Sequence, residues 1–276
     1  MTNKLPFRKI LIILAILLLA TFLRFWHISS NPPGLYWDEV ANGYNAYSIL
    51  KTAKDEYGTF MPLTFRAFDD WRPALAIYPL VPSIAVFGLN EFGVRFPAAL
   101  LGVLTVFLTY LLVKKFFENE NISLLSAFFL AISPWHIQFT RAQFEAGFML
   151  FFCLLSLYIF HAKKLSTATV TLSALILGLA LNSYQGAKVW VPLFAIINIV
   201  FNIKNVLKLK QRLIFPIIVL AIFCLPFVLD FKNTLARGRT VSVFYNSKTP
   251  YLDFVKGYLS HYSGNFLFIY GTKLFF

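Results

Sequence analysis

The chain has 276 residues, of which 58% are hydrophobic, 18% aromatic and only 13% charged, and its mean hydropathy is +0.68. A water-soluble fold of this size could not hide so much apolar surface, and disorder needs the opposite composition, so what remains is an integral membrane protein with several spans. A net charge of +13 and a pI of about 9.7 would suit nucleic acid by composition, but the basic residues are distributed as a topology signal, which argues against it.

Apolar runs of near-membrane length fall at 10–25, 96–113, 122–139, 146–160, 166–181, 189–203 and 213–229. Each approaches the roughly 17–25 residues that cross a hydrocarbon core, and flanking aromatic or snorkelling side chains extend the short ones. The first run begins with basic residues, as a signal peptide does. It is followed by Leu23, Arg24, Phe25 and Trp26 rather than by a small-residue cleavage site, so an uncleaved helix is expected. An eighth run, 74–89, contains Pro79 and Pro82. Short cytoplasmic loops are rich in Lys and Arg. Lys4, Arg8 and Lys9, the pairs Lys114/Lys115 and Lys163/Lys164, and the cluster Lys204, Lys208, Lys210 and Arg212 all lie inside only if 74–89 does not cross. The expected fold is therefore an all-α polytopic membrane protein, with one domain over 1–276 and about seven transmembrane helices. Its long first extracytoplasmic loop, 27–95, carries interfacial helices and the re-entrant or interfacial segment 74–89, and an outer tail follows at 230–276. Cys153 and Cys224 both lie in apolar runs and read as small buried hydrophobes. The histidines are scattered without metal spacing.

This topology sorts the acids unevenly. Ten of the twelve fall outside or at the outer membrane edge, seven of those in 27–95, and only Glu118 and Glu120 lie inside. A loop that long between membrane helices is functional more often than connective. At its start, Pro32, Pro33 and Gly34 turn the chain away from the first helix, just before Trp37-Asp38-Glu39. Val40, Tyr44, Tyr47 and Leu50 then recur at helical spacing, so an amphipathic helix over about 39–54 should lie along the interface with these residues toward lipid. Asp38 would stand at its N-cap. Capping alone, worth about 1 kcal/mol, is the alternative to a chemical role.

The loop ends in Phe68-Asp69-Asp70-Trp71-Arg72-Pro73, where acids beside a cation could hold a divalent metal or a phosphate, or merely form a polar surface. Asp38 and Asp70 are the metal candidates. A second outer loop carries Ser133-Pro134-Trp135, then Arg141 and Glu145, spaced to meet on one helix face. A third holds Asn182-Ser183-Tyr184-Gln185-Gly186-Ala187-Lys188, and a fourth holds Arg237 and Arg239. Single cations at such edges also serve as membrane anchors.

Four signals occur in order on the outer side. They are Trp37-Asp38-Glu39, Phe87-Gly88-Leu89-Asn90-Glu91-Phe92-Gly93-Val94-Arg95-Phe96-Pro97, Ser133-Pro134-Trp135 with Arg141 and Glu145, and Ser183-Tyr184-Gln185-Gly186. Together they make nearly the whole chain resemble the C-type membrane glycosyltransferases, nearest the branch of protein O-mannosyltransferases, lipid A aminoarabinose transferases and Rgt-type transferases. The resemblance implies transfer of a sugar from a polyprenyl-phosphate donor to a hydroxyl of a lipid, glycan or protein acceptor. It places the enzyme in the plasma membrane with its site facing the extracytoplasmic side. Asp38 matches the family's acid in the first outer loop and is implied to be the general base, with Glu39 orienting it or the substrate. The phosphate leaving group needs positive charge, for which Arg72, Arg141, Lys188 and Arg237 are candidates, the first two foremost. Asp70, Glu145, Tyr184 and Gln185 are implied to support the site. One base and a single displacement imply inversion at the anomeric carbon, unlike the two-carboxylate arrangement of retaining hydrolases.

The chain departs from the aminoarabinose-type pattern of an acid, a Lys and two prolines, reading Asp70-Trp71-Arg72-Pro73-Ala74 instead. Members of the family also continue well beyond this length, so the chain is expected to be truncated at its C-terminus. The competing function is a polytopic transporter or flippase for a lipid-linked substrate. Transporters place ionisable residues or broken helices near the midplane, whereas the span interiors here are almost free of charge.

Overall fold

The computed structural model describes residues 7–67, 70–162, 165–229, 248–260 and 262–264, most of them helical. One compact unit covers Met1–Pro226 and a second covers Phe227–Phe276. In the first unit, helix α1 (Phe7–Phe25) lies against α4 (Glu91–Phe117) and α5 (Glu120–Ile132). Ile13, Ile16 and Ala20 of α1 meet Val106 and Tyr110 of α4 and Leu124, Ala127 and Ala131 of α5. The alanines let the helix backbones approach closely, as small residues do wherever lipid removes any hydrophobic incentive to pack.

The run 122–139, expected as one span, is two helices. α5 stops at Ile132 and α6 (Pro134–Arg141) leaves at 57°. Pro134 has no N–H to give to the preceding turn, so the last carbonyls of α5 lose their helical partners. Arg24, fully buried, replaces them: Nη1 donates to Ala131 O at 3.1 Å and Nη2 to Leu130 O at 3.3 Å. The same Nη2 lies 2.7 Å from His136 Nδ1. α6 then crosses α4 at Gly102, where a Cβ would come within 2.6 Å of Thr140 Cβ. Gly102→Val should therefore destabilise the protein by about 1–3 kcal/mol, the usual cost of overpacking. Thermal unfolding of the detergent-solubilised chain measures it, and an unchanged midpoint would show that this crossing tolerates separation.

Between α1 and α4 lie α2 (Trp37–Thr52), an antiparallel hairpin of β1 (Thr64–Ala67) and β2 (Asp70–Pro73), a 3-10 turn (Ala74–Ala76) and α3 (Leu80–Phe87). The hairpin departs from the all-α expectation. Two strands of four residues are too short to show a period in the sequence, and Pro73 closes the second at its end. The segment 74–89 is broken as its prolines require: Pro79 precedes α3 and Pro82 sits in its first turn, where a missing N–H costs no hydrogen bond. Ala46, Ile49, Phe65, Ile77, Leu80, Ile84 and Val94 pack these pieces onto α4.

α2 buries Glu39, Asn42 and Asn45 along with Ala41, Ala46 and Ile49, whereas Trp37, Val40, Tyr44 and Leu50 are exposed. Tyr47, expected to face outward with 40, 44 and 50, is instead half-buried against the cluster of Phe65 and Ile77, while the buried polar residues are held by Gln143 and the loop. Asn45, for example, accepts from Glu56 N and donates to Glu56 Oε1.

Helices α7 (Glu145–Phe160), α8 (Thr167–Leu181), α9 (Ala187–Phe201), α10 (Ile203–Leu207) and α11 (Ile214–Leu229) follow. α7 and α8 are stitched by the Ser156 and Ser173 hydroxyls, 2.7 Å apart. Among the described residues α4 alone is long and apolar enough to cross a membrane, or two spans qualify if α5 and α6 count as one bent crossing. α1 has the length but carries Arg8, Lys9 and Arg24, and α7, α8 and α9 have 15 or 16 residues each. Of the second unit, helix α12 (Pro250–Ser260) is described, with Tyr251, Phe254, Tyr258 and Leu259 exposed.

Candidate active site

The adjacent acids Asp38 and Glu39 enter opposite environments. α2 begins at Trp37, not after Asp38, so Asp38 lies in the first turn and is not the cap. The capping hydrogen bond belongs to Glu39, whose Oε2 accepts from Tyr36 N at 3.0 Å. Glu39 is fully buried, as is Arg95 of α4. Arg95 Nε donates to Glu39 Oε1 at 2.9 Å and Nη2 to Oε2 at 2.9 Å, a bidentate pair. Gln143 N adds a bond to Oε1 at 3.0 Å. The remaining Arg95 donors hold the turn after α1, through Ile28 O at 2.8 Å, Pro32 O at 2.9 Å and Gly34 O. Both oxygens of Glu39 are thereby engaged by donors.

Asp38 keeps 53% of its side chain exposed. Its Oδ1 accepts from Nη2 of Arg72, which β2 delivers in register with Phe65. The Arg72 side chain is only 10% exposed and is shared: Nη1 donates to Asn42 Oδ1 at 3.4 Å and lies 3.8 Å from Glu145 Oε1. Arg72 Nε is buried without a hydrogen-bond partner among the described residues. Such an orphan donor in a native structure calls for a role. Asn42 continues the chain of contacts to Gln143 Oε1 at 2.7 Å, and Gln143 Nε2 reaches Ala76 O at 2.8 Å. One connected network therefore runs Asp38–Arg72–Asn42–Gln143–Glu39–Arg95. Asn42, Gln143 and Arg95 were missed as site residues in the sequence. Arg95 stands within a quoted motif and Gln143 between Arg141 and Glu145, but nothing in their spacing reveals the partner.

Arg141, expected to bind phosphate, is committed elsewhere. Its Nη1 donates to Leu23 O at 2.8 Å, Nη2 to Trp26 O at 2.7 Å and Asn31 O at 2.6 Å, and Nε to Asn31 O at 3.1 Å. It fastens the turn at the end of α1, whose carbonyls have no helical donors. Nor do Arg141 and Glu145 share a helix face: α6 ends at the first and α7 begins at the second. Glu145 instead joins Arg72. The loop after α8 approaches the same hairpin. Gln185 Nε2 donates to Trp71 O at 3.2 Å, Gln185 Oε1 accepts from Lys188 Nζ at 2.6 Å, and Leu75 N donates to Asn182 O at 3.1 Å. Tyr184 packs its ring over Gly186, where a Cβ would meet Tyr184 Cε1 at 2.6 Å. Asp70 pairs with Ala67 at the end of the hairpin. Arg237 falls outside the described residues. A divalent ion at Asp38 would lie beside the Arg72 guanidinium and be repelled by it, so the residues around Asp38 do not fit one. Among the described residues no three His, Cys, Asp or Glu side chains cluster for a metal.

The family model for dolichyl-phosphate-mannose-protein mannosyltransferase matches residues 72–229, more than half of the chain, and the chain belongs to that family. Two Bacillus subtilis (strain 168) proteins provisionally named as mannosyltransferases are similar to it. YycA is 27% identical over 198 residues, covering 70% of this chain and 24% of its own. YkcB is 25% identical over 236 residues, covering 83% and 32%. An uncharacterized protein of Aquifex aeolicus (strain VF5) is 40% identical over 91 residues, 33% of this chain and 18% of that one. In fold, the chain matches the S. cerevisiae protein O-mannosyltransferase Pmt1-Pmt2 complex bound to the sugar donor, with a TM-score of 0.60 and 20% identity over 84% of this chain and 35% of that one. The chain thus spans about a third or less of the length of these relatives.

Proposed function

We propose that this chain is the membrane catalytic portion of an enzyme that moves a sugar from a polyprenyl-phosphate donor to an acceptor hydroxyl on the extracytoplasmic side. Seven crossings would put α2, the hairpin and the loops at 142–145 and 182–188 on that outer face. The outward Trp37, Val40, Tyr44 and Leu50 of α2 support an interfacial position, because exposed apolar residues suit lipid, and the buried Glu39, Asn42 and Asn45 suit a polar site behind them. Asp38 is the base: it removes the acceptor proton as that oxygen attacks the anomeric carbon. The donor's phosphate departs from the opposite side, so the sugar inverts. Arg72 binds that phosphate, with its unmet Nε directed to the task, and Lys188 stands one loop away. The sugar is mannose by analogy with the family.

The observation that carries this reading is the pairing of a half-exposed carboxylate with a buried arginine that retains a free donor, beside a second carboxylate that is sealed. Arg72→Lys tests it. Lysine keeps the charge but not the fork, so it can serve Asp38 or the phosphate in turn, not both at once. Transfer from polyprenyl-phosphate mannose in proteoliposomes should fall about 10- to 100-fold in kcat/KM, mostly through a higher donor KM, since charge-assisted hydrogen bonds contribute roughly 1.5–3 kcal/mol. An unchanged donor KM would remove Arg72 from the donor site.

A further inference from the structure

The helices α7 to α11 enclose a cavity of about 200 Å³. Val170, Ala174, Phe194, Val206, Leu213 and Leu220 help to line it, and its wall is almost wholly apolar. Its contacts on α8 run from Val170 to Leu177, and the loop that meets the hairpin begins at Asn182. The end at Val170, which packs with Val206 against Leu209 and Leu213, is the end farther from that loop, by about 18 Å of helix. The end of the cavity formed by α10 and the turn after it carries a dense positive charge. Lys208 lies two residues beyond the lining residue Val206, and Lys210 and Arg212 stand three residues and one residue before the lining residue Leu213. All three are exposed, as is Lys204.

No Asp or Glu occurs anywhere between Glu145 and Asp230. Lys208 reaches Asn205 Oδ1 at 3.4 Å, and Lys210 and Arg212 have no side-chain hydrogen bond or ion pair among the described residues. The contrast is with Lys114, also placed inside by the topology, which is neutralised by Glu120 at 3.0 Å. An apolar slot with an unneutralised cationic rim is complementary to an anion that carries a hydrocarbon chain.

We propose that this cavity binds an anionic glycerophospholipid of the inner leaflet, one acyl chain inserted among α7, α8, α9 and α11 and the phosphate held by Lys208, Lys210 and Arg212. The polyprenyl donor is the less suitable occupant, because its phosphate belongs at Arg72, at the other end of α8. Basic residues close to a membrane surface each contribute about 1 kcal/mol toward anionic lipid, so three of them give a large headgroup preference. The site rests on the membrane reading of the chain but not on the chemistry assigned to Asp38.

Native mass spectrometry of the full chain, released from micelles containing dioleoylphosphatidylglycerol or dioleoylphosphatidylcholine, tests it. The anionic lipid should be retained at least tenfold better than the zwitterionic one. The K208Q/K210Q/R212Q variant should lose that preference, while R8Q/K9Q, which removes two charges from α1, should keep it. Ala195→Phe, which fills the cavity without altering charge, should release the bound lipid in either case. Equal retention of the two lipids, or a preference that survives both the triple variant and Ala195→Phe, would overturn the proposal. Displacement of the phospholipid by polyprenyl phosphate at equal concentration would overturn it too, by assigning the cavity to the donor's tail. Sugar transfer at Asp38 is measured separately, so failure here leaves that reading standing.

Discussion

Asp38→Asn lowers sugar transfer by about 10²- to 10⁴-fold, the usual contribution of a positioned general base, and leaves the fold in place. The asparagine Oδ1 can still accept from Arg72, but the amide cannot take up the acceptor's proton. With half of its side chain exposed, Asp38 contributes little to stability, as expected of an ion pair open to solvent. Arg72 also remains within 3.8 Å of Glu145. The thermal midpoint should therefore stay within a degree or two. Donor affinity should hold, because Arg72 keeps its Nε for the phosphate whether position 38 is Asp or Asn. Steady-state transfer from polyprenyl-phosphate mannose, paired with a melt of the same preparation, reads both quantities. Activity within threefold of the parent would dismiss Asp38 as the base.

Much of this arrangement is written in local pattern. The apolar runs mark where the helices lie, and the prolines at 79 and 82 mark where 74–89 breaks. Trp37-Asp38-Glu39 is singled out in the sequence by its family resemblance, since its composition alone reads as well as a helix start. What the pattern cannot show is the destination of a long side chain. Arg141 and Arg72 look alike in sequence, each an arginine near an acid at an outer edge. The difference lies in which backbone carbonyls the turn after α1 leaves unsatisfied, and that depends on contacts more than a hundred residues apart. Arg24 is a second case: an arginine at the end of an apolar run reads as an anchor, yet it repairs the break before Pro134. The hairpin that delivers Arg72 is likewise set by packing of Phe65 into the α2–α3–α4 cluster, not by strand propensity over four residues.

Glu39 and Arg95 set the other large effect, and it falls on stability rather than chemistry. Both are fully buried, and their bidentate pair is completed by Tyr36 N and Gln143 N. A buried pair adds little net stability over an apolar replacement, but breaking it from one side strands a charge, at a cost of about 3–5 kcal/mol. Glu39→Gln should approach that loss, since Arg95 would keep its carbonyl partners but not its counter-charge. Arg95→Met should be worse, because it orphans the carbonyls of Ile28, Pro32 and Gly34 as well as Glu39. The double variant E39Q/R95M should be less destabilised than the sum of the singles, by at least about 1 kcal/mol, as contacting residues in one network require. Chemical unfolding of the four proteins in detergent gives the cycle, and strict additivity would show that the pair is not the unit described here. A conservative test separates floor from catalyst. In whatever fraction of Glu39→Gln remains folded, transfer should fall less than in Asp38→Asn, because the proposed base is intact. A loss as deep as that of Asp38→Asn would reverse the roles proposed for the two acids.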